Sequence, residues 1–232
     1  MALVMYDLDG TLLDTANEIT LAVNLTLKDF NRPHVDQDDV RRWIGHGTGW
    51  LMEQAWEATS AGQANHPFDQ VMTRFIIHYG NTAGLSSYLF PQVLETLKKI
   101  KALGIKQAVV TNKETRFTDR VIDAHDLRGY FDLIISGDTL PVKKPNPGVL
   151  QHCMKTLNEP IDKCIFIGDS EIDVATAKAA GVICWALPYG YNHGRLLVLQ
   201  ILTELFRMFQ RFLNFLGLAD AISKNVQCCL SW

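Results

Sequence analysis

The chain has 232 residues, a length for one domain or one domain carrying an insertion, and enough to bury a sizeable core. Hydrophobic residues at 47% and charged residues at 20% are an ordinary globular balance, and a net charge of −3 gives no electrostatic basis for binding nucleic acid or an anionic membrane surface. The five cysteines are an odd number without CxxC spacing, which argues against a disulfide framework or a zinc site. The N-terminus shows no basic stretch followed by a long apolar one, so no signal peptide is expected and the cytoplasm is the expected address.

Residues 2–6 (ALVMY) form a short apolar run that reads as a buried strand ending at Asp7. Thr15-Ala-Asn-Glu18 has the form of a capping box, and Ile19, Ala22, Val23, Thr26, Leu27 and Phe30 follow at helical spacing until Arg32-Pro33. Further helical patterns run through 37–83 with no strand among them. Residues 15–83 are therefore expected to form an all-helical unit inserted into a second domain made of 1–14 and 84–232.

From residue 86 the rhythm changes. Pro91 marks a helix start and Gly104 its end. A strand is expected over 105–112, a helix over 115–125 and a strand over 131–136. Asn146-Pro147 reads as an N-cap followed by proline, opening a helix to Leu157. The strand 163–169, a helix from Ser170 to Gly181 and the strand 182–187 complete the series. Strands alternating with helices predict an α/β fold, a Rossmann-like parallel sheet with helices on both faces.

In such sheets ligands bind beyond the carboxyl ends of the strands. Here those ends carry Asp7-Leu-Asp9, Thr111-Asn112 and Gly168-Asp169-Ser170, with Lys144 in a loop between the last two. Residues two apart on extended chain share a face, so Asp7 and Asp9 can look into one site while Leu8 packs away from it. Several carboxylates with a lysine and a hydroxyl suit Mg²⁺ and a phosphate group, and the metal would offset the repulsion between the acids.

Asp7-Leu-Asp9-Gly10-Thr11-Leu12 resembles the first motif of the haloacid dehalogenase superfamily. Thr111-Asn112 resembles its second, Lys144-Pro145-Asn146-Pro147 its third, and Gly168-Asp169-Ser170 with Asp173 its fourth. The resemblance implies the superfamily's core with an inserted helical cap, which closes over the site and selects the leaving group. It also implies roles. Asp7 is the nucleophile that forms an aspartyl-phosphate, and Asp9 is the general acid and then general base. Asp7, Asp9 (through its carbonyl) and Asp169 hold Mg²⁺. Thr111 and Asn112 cradle the phosphoryl oxygens and Lys144 neutralises their charge. Lys144 is preferred to Lys143 because it directly precedes Pro-x-Pro. For Asp173, capping Ser170 and ordering the Lys144 loop or the metal waters both stay open.

Arg41-Arg42-Trp43-Ile44-Gly45-His46-Gly47 is similar to the cap loop of phosphoglycolate phosphatases. Gly137-Asp138-Thr139-Leu140 before Lys143-Lys144, and Tyr189-Gly190-Tyr191-Asn192-His193-Gly194, are similar to other stretches of those enzymes. The implied reaction is hydrolysis of 2-phosphoglycolate to glycolate and phosphate, with Gly45 and His46 as substrate contacts. Arg41 or Arg42 is a candidate for the substrate carboxylate, though surface charge is the default for both. The alternatives are a phosphatase or phosphomutase acting on another small phosphate, and a non-catalytic phosphate-binding module. The expected partner is a small phosphorylated metabolite, with no nucleic acid and no membrane span.

After Gly194 the resemblance stops. Gln200, Thr203, Glu204, Arg207, Gln210, Arg211 and Asn214 recur at helical period beside a wide apolar face, an amphipathic helix whose charges argue against a membrane span. A terminal helix on the core, a homodimer or membrane-surface element, and a tail foreign to the family are three open readings of this stretch.

Overall fold

Leu3–Tyr6 (β1) is fully buried along its whole length, as a strand covered on both faces must be. The computed structural model of the protein describes residues 1–62 and 66–191. The tail helix expected after Gly194, and with it the homodimer reading, lies outside these residues. So do Asn192, His193 and Gly194.

After β1 the chain forms the two-residue strand Leu13–Asp14 (β2). Four helices follow: Ala16–Asp29 (α1), Gln37–Trp43 (α2), Thr48–Ala58 (α3) and Phe68–Thr82 (α4). Among the described residues no strand interrupts them. The chain returns through Tyr88–Leu89 (β3), which pairs antiparallel with β2, Leu13 opposite Leu89 and Asp14 opposite Tyr88. The outgoing and returning connections of the helical segment therefore run side by side. Then come Val93–Ala102 (α5), Lys106–Val110 (β4), Thr115–Ala124 (α6), Leu133–Ile135 (β5), Gly148–Leu157 (α7), Cys164–Gly168 (β6), Glu171–Ala180 (α8) and Ile183–Ala186 (β7).

The main sheet is parallel, in the order β5-β4-β1-β6-β7. Leu3 and Met5 of β1, Ala108 and Val110 of β4, and Cys164 and Phe166 of β6 share one face. They pack against Val149, Leu150 and Cys153 of α7 and Ala177 and Ala180 of α8. On the other face Gln107 accepts the Tyr6 hydroxyl at 3.0 Å and donates to the Leu97 carbonyl of α5 at 3.0 Å. A glutamine there is tolerated because its polar atoms are bonded. Among the described residues no helix is long and apolar enough to cross a membrane, and Cys153, Cys164 and Cys184 are free thiols.

The α1 start differs from expectation. Thr15 precedes the helix but its hydroxyl caps nothing; it donates to Asp9 Oδ1 at 2.7 Å. Glu18 accepts from the Gly84 and Ser87 N–H groups at 2.9 and 3.2 Å instead of reaching back to Thr15. Thr15 and Glu18 are themselves fully buried, and each is satisfied by a partner distant from the helix end. The capping box at Ser170 does form, with Asp173 as its acid. Asn146 accepts from the Gly148 N–H at 2.9 Å, as an N-cap does, although α7 itself begins at Gly148.

Candidate active site

The strand register places the chemistry on one rim. Asp7 N–H donates to the Ile167 carbonyl and Thr111 N–H to the Ile135 carbonyl, both at 2.9 Å. Asp7, Thr111 and Asp169 therefore leave neighbouring strands at the same level. Asp7 and Asp9 line a common pocket while Leu8 between them is fully buried, as alternation along extended chain predicts. The turn that follows requires glycine. Gly10 has φ +85°, and a Cβ there would stand 2.3 Å from Asp169 Oδ2.

Lys144 reaches into the acids, 2.8 Å from Asp7 Oδ1 and 2.7 Å from Asp173 Oδ1. Asn112 holds its loop. The Asn112 carboxamide accepts from the Lys144 N–H at 2.9 Å and donates to the Lys144 carbonyl at 2.9 Å and to the Gly45 carbonyl at 2.8 Å. Lys143 points elsewhere and donates to the His46 carbonyl at 3.0 Å. Asp169 accepts from the Thr11 hydroxyl at 2.7 Å and the Tyr191 N–H at 2.6 Å. Asp173 caps Ser170 and also meets Lys144. Oδ2 accepts from the Ser170 N–H and hydroxyl and from the Asp169 N–H, and Oδ1 takes Lys144.

Oxygens of Asp7, Asp169 and Asp173 lie within 4.8 Å of one another, all three residues being buried. Burial pushes the Asp7 carboxyl up to about 7; Lys144 opposes this, and the charges of Asp173 and Asp9 add to it. Burial, then Asp173 and Asp7, holds Asp169 well above the ordinary carboxylate range. Lys144 is driven the other way: burial would lower it, but Asp173 and Asp7 outweigh that and raise it. The cluster is thus short of positive charge and offers only oxygen donors, the chemistry that suits a hard divalent cation. Asp7 takes its bonds from the Leu8 N–H and from Lys144 on Oδ1, whereas Asp169 and Asp173 each accept on both oxygens.

The pocket over Asp7 and Asp9 is lined also by Thr111, Asn112 and Gly45. His46 is exposed and stands outside this lining, its ring 4.4 Å from that of Trp50. Arg41 pairs with Asp14 at 3.2 Å and Arg42 with Asp39, and neither lines the pocket. Sequence reasoning missed Lys113, whose Nζ pairs with Asp9 Oδ1 at 2.7 Å in a side chain only 2% exposed. The alternation that pairs Asp7 with Asp9 also pairs Thr111 with Lys113, so the signal was present. It missed Thr11 and Tyr191 too, whose partners are distant in sequence.

The model of the haloacid dehalogenase-like hydrolase family matches residues 4–187. The chain is 39% identical over 196 residues to a phosphoglycolate phosphatase of Colwellia psychrerythraea, covering 82% of this chain and 86% of that one. It is 42% identical over 195 residues to phosphoglycolate phosphatase 1 of Pseudomonas aeruginosa, covering 83% and 71%. Its fold superposes on the crystal structure of a predicted phosphoglycolate phosphatase from Haemophilus somnus with a TM-score of 0.81 at 32% identity, covering 84% of this chain and 88% of that one. The order of motifs along the sheet rim and the span of these matches agree: the chain belongs to the haloacid dehalogenase-like hydrolase family.

Proposed function

We propose that this protein is a Mg²⁺-dependent phosphatase that hydrolyses 2-phosphoglycolate to glycolate and phosphate. The observation that carries the chemistry is the contact of buried Asp7 with Lys144 at 2.8 Å, in a pocket that Asp9 also lines. The substrate assignment draws on the names of the relatives, and the three described thiols suit a reducing cytoplasm.

Asp7 attacks phosphorus, the bond to the leaving oxygen breaks, and an aspartyl-phosphate forms. Asp9 gives its proton to the leaving glycolate oxygen. Its Oδ1 takes the bonds from Thr15 and Lys113, which leaves Oδ2 for the proton. A water then enters, Asp9 removes its proton, and attack on phosphorus releases phosphate and regenerates Asp7. Thr111 and Asn112 border the phosphoryl group, and Lys144 balances its charge from a position that Asn112 fixes.

Asp7, Asp169 and the carbonyl of Asp9 would hold Mg²⁺. When bound it supplies the positive charge that the acidic cluster lacks and that the phosphoryl oxygens need. Residues 15–83 act as a cap over the core of 1–14 and 84 onward, and exclude water from the pocket. Gly45 borders the substrate through this segment.

A panel of small phosphate esters with Mg²⁺ and with EDTA, run beside Asp7→Asn, tests the reading. Mg²⁺-dependent release of phosphate, fastest from 2-phosphoglycolate and abolished in the variant, is expected. Preference for a sugar phosphate would overturn the substrate, and hydrolysis by Asp7→Asn at the parent rate would overturn the chemistry.

A further inference from the structure

Beyond Asp9 the pocket has a largely apolar wall, Ile19, Ile44, Leu51 and Phe75, and one cation among its described lining residues, Lys113. Lys113 Nζ lies 5.0 Å from the centre of the Tyr79 ring. The Tyr79 hydroxyl is buried, and no hydrogen-bond partner is found for it among the described residues. A phenol so placed carries a donor that costs free energy while unmet. Helix α3 begins at the same wall, with Gly47 and Thr48 both lining the pocket and no side chain capping its amides. Those amides present the positive end of the helix dipole. An ammonium, a hydroxyl without a partner among the described residues and a helix N-terminus line one pocket with Asp9, and Glu114 already takes the Thr48 hydroxyl beside them; three donors so grouped suit a carboxylate.

We propose that Lys113, the Tyr79 hydroxyl and the N-terminus of α3 form the subsite that reads a carboxylate on the leaving group, making Lys113 a specificity-determining residue. The inference rests on the phosphatase reading and names how that site selects its substrate. In the free protein Asp9 balances Lys113 at 2.7 Å. A substrate carboxylate on the carbon that bears the ester oxygen reaches the same ammonium from the α3 side. A leaving group without acceptor atoms beyond the ester oxygen, such as ethyl, meets none of the three donors. Arg41 and Arg42, the residues the sequence suggested for this task, are held by Asp14 and Asp39.

The test compares kcat/KM for 2-phosphoglycolate and for ethyl phosphate, whose leaving group is of similar length and neutral, with Mg²⁺ present. The parent favours 2-phosphoglycolate. Lys113→Met removes the charge but keeps the length of the side chain, and the ratio of the two values falls by roughly ten- to a hundredfold. Tyr79→Phe keeps the Lys113–Asp9 pair and lowers the ratio by roughly three- to tenfold, mainly through KM for 2-phosphoglycolate. Lys113→Arg restores part of the preference that Lys113→Met loses. Should Lys113→Met fail to fold, Tyr79→Phe carries the same comparison. A preference for 2-phosphoglycolate kept by the variants, with both esters slowed equally, overturns the subsite and leaves the phosphatase reading standing. A parent that never prefers 2-phosphoglycolate overturns the substrate reading and the subsite together.

Discussion

Lys144 and Asp7 meet at 2.8 Å although they are far apart in sequence, and the same ammonium also holds Asp173 at 2.7 Å. One buried cation thus serves two acids of a cluster of three. Replacing it by Lys144→Met leaves both acids without a counter-charge. The variant is expected to lose roughly a hundred- to a thousandfold in kcat. It should also lose about 3 kcal/mol of unfolding free energy. Steady-state kinetics and denaturant titration check the two effects.

The raised Asp7 carboxyl gives a pH prediction for the metal-free protein. Its ordinary value is 3.8, and burial lifts it to about 7 in the fold. Below the lower value both states are protonated and the group costs nothing. Between the two values the folded protein keeps a proton that the unfolded chain has released, so stability falls as pH rises; above the upper value the cost is complete. Asp7→Asn removes this cost. In EDTA the variant should exceed the parent by about 4 kcal/mol at pH 7, with the difference fading toward pH 4. Adding Mg²⁺ should stabilise the parent more than the variant. Thermal unfolding across pH, with and without the metal, measures all three.

Gly10 carries two constraints at once, a left-handed backbone and the nearness of Asp169. Gly10→Ala would place its Cβ 2.3 Å from Asp169 Oδ2 at φ +85°. The backbone alone costs about 1–2 kcal/mol, and the carboxylate must also move. The expected result is a lower melting temperature together with weaker Mg²⁺ affinity, read by calorimetric titration. A variant that binds the metal as the parent does would show that Asp169 has room to shift.

Tyr191 fastens the start of α1. Its hydroxyl donates to Asp14 at 2.8 Å and accepts from the Thr15 and Ala16 N–H groups at 2.8 and 2.9 Å. Tyr191→Phe leaves the buried Thr15 N–H unmet, while Ala16 and Asp14 keep each other, and should destabilise the protein by about 1–3 kcal/mol. Denaturant unfolding with an unchanged slope would confirm that the loss is local.

The sheet was readable because β1, β4 and β6 are apolar runs that end in acids, asparagine or glycine, and because Gly104 and Gly181 close helices where expected. The pair β2–β3 was not, since two-residue strands show no period. The capping box at Thr15 has the same pattern as the one at Ser170, yet only the second forms. What separates them is Asp9 and the turn at Gly84 and Ser87, partners that local pattern does not reveal. In the site, Asp7, Asp9, Asn112, Lys144 and Asp169 sit where the motif order suggested. Alternation puts Lys113 on the face that Thr111 uses, but the burial of its ammonium against Asp9 depends on a partner 104 residues away that local pattern does not reveal. His46 sits in a glycine-rich loop whose Gly45 carbonyl accepts from Asn112, with its own ring 4.4 Å from that of Trp50.

In the proposed mechanism Asp7 itself carries the phosphoryl group during turnover. Mixing the protein with 2-phosphoglycolate and Mg²⁺, quenching in acid within the first turnover and weighing the proteolytic peptides measures this directly. A phosphoryl mass on the peptide that contains Asp7, lost on treatment with hydroxylamine, is the expected result. Turnover that proceeds with no such adduct, or with the adduct on another residue, would contradict the account.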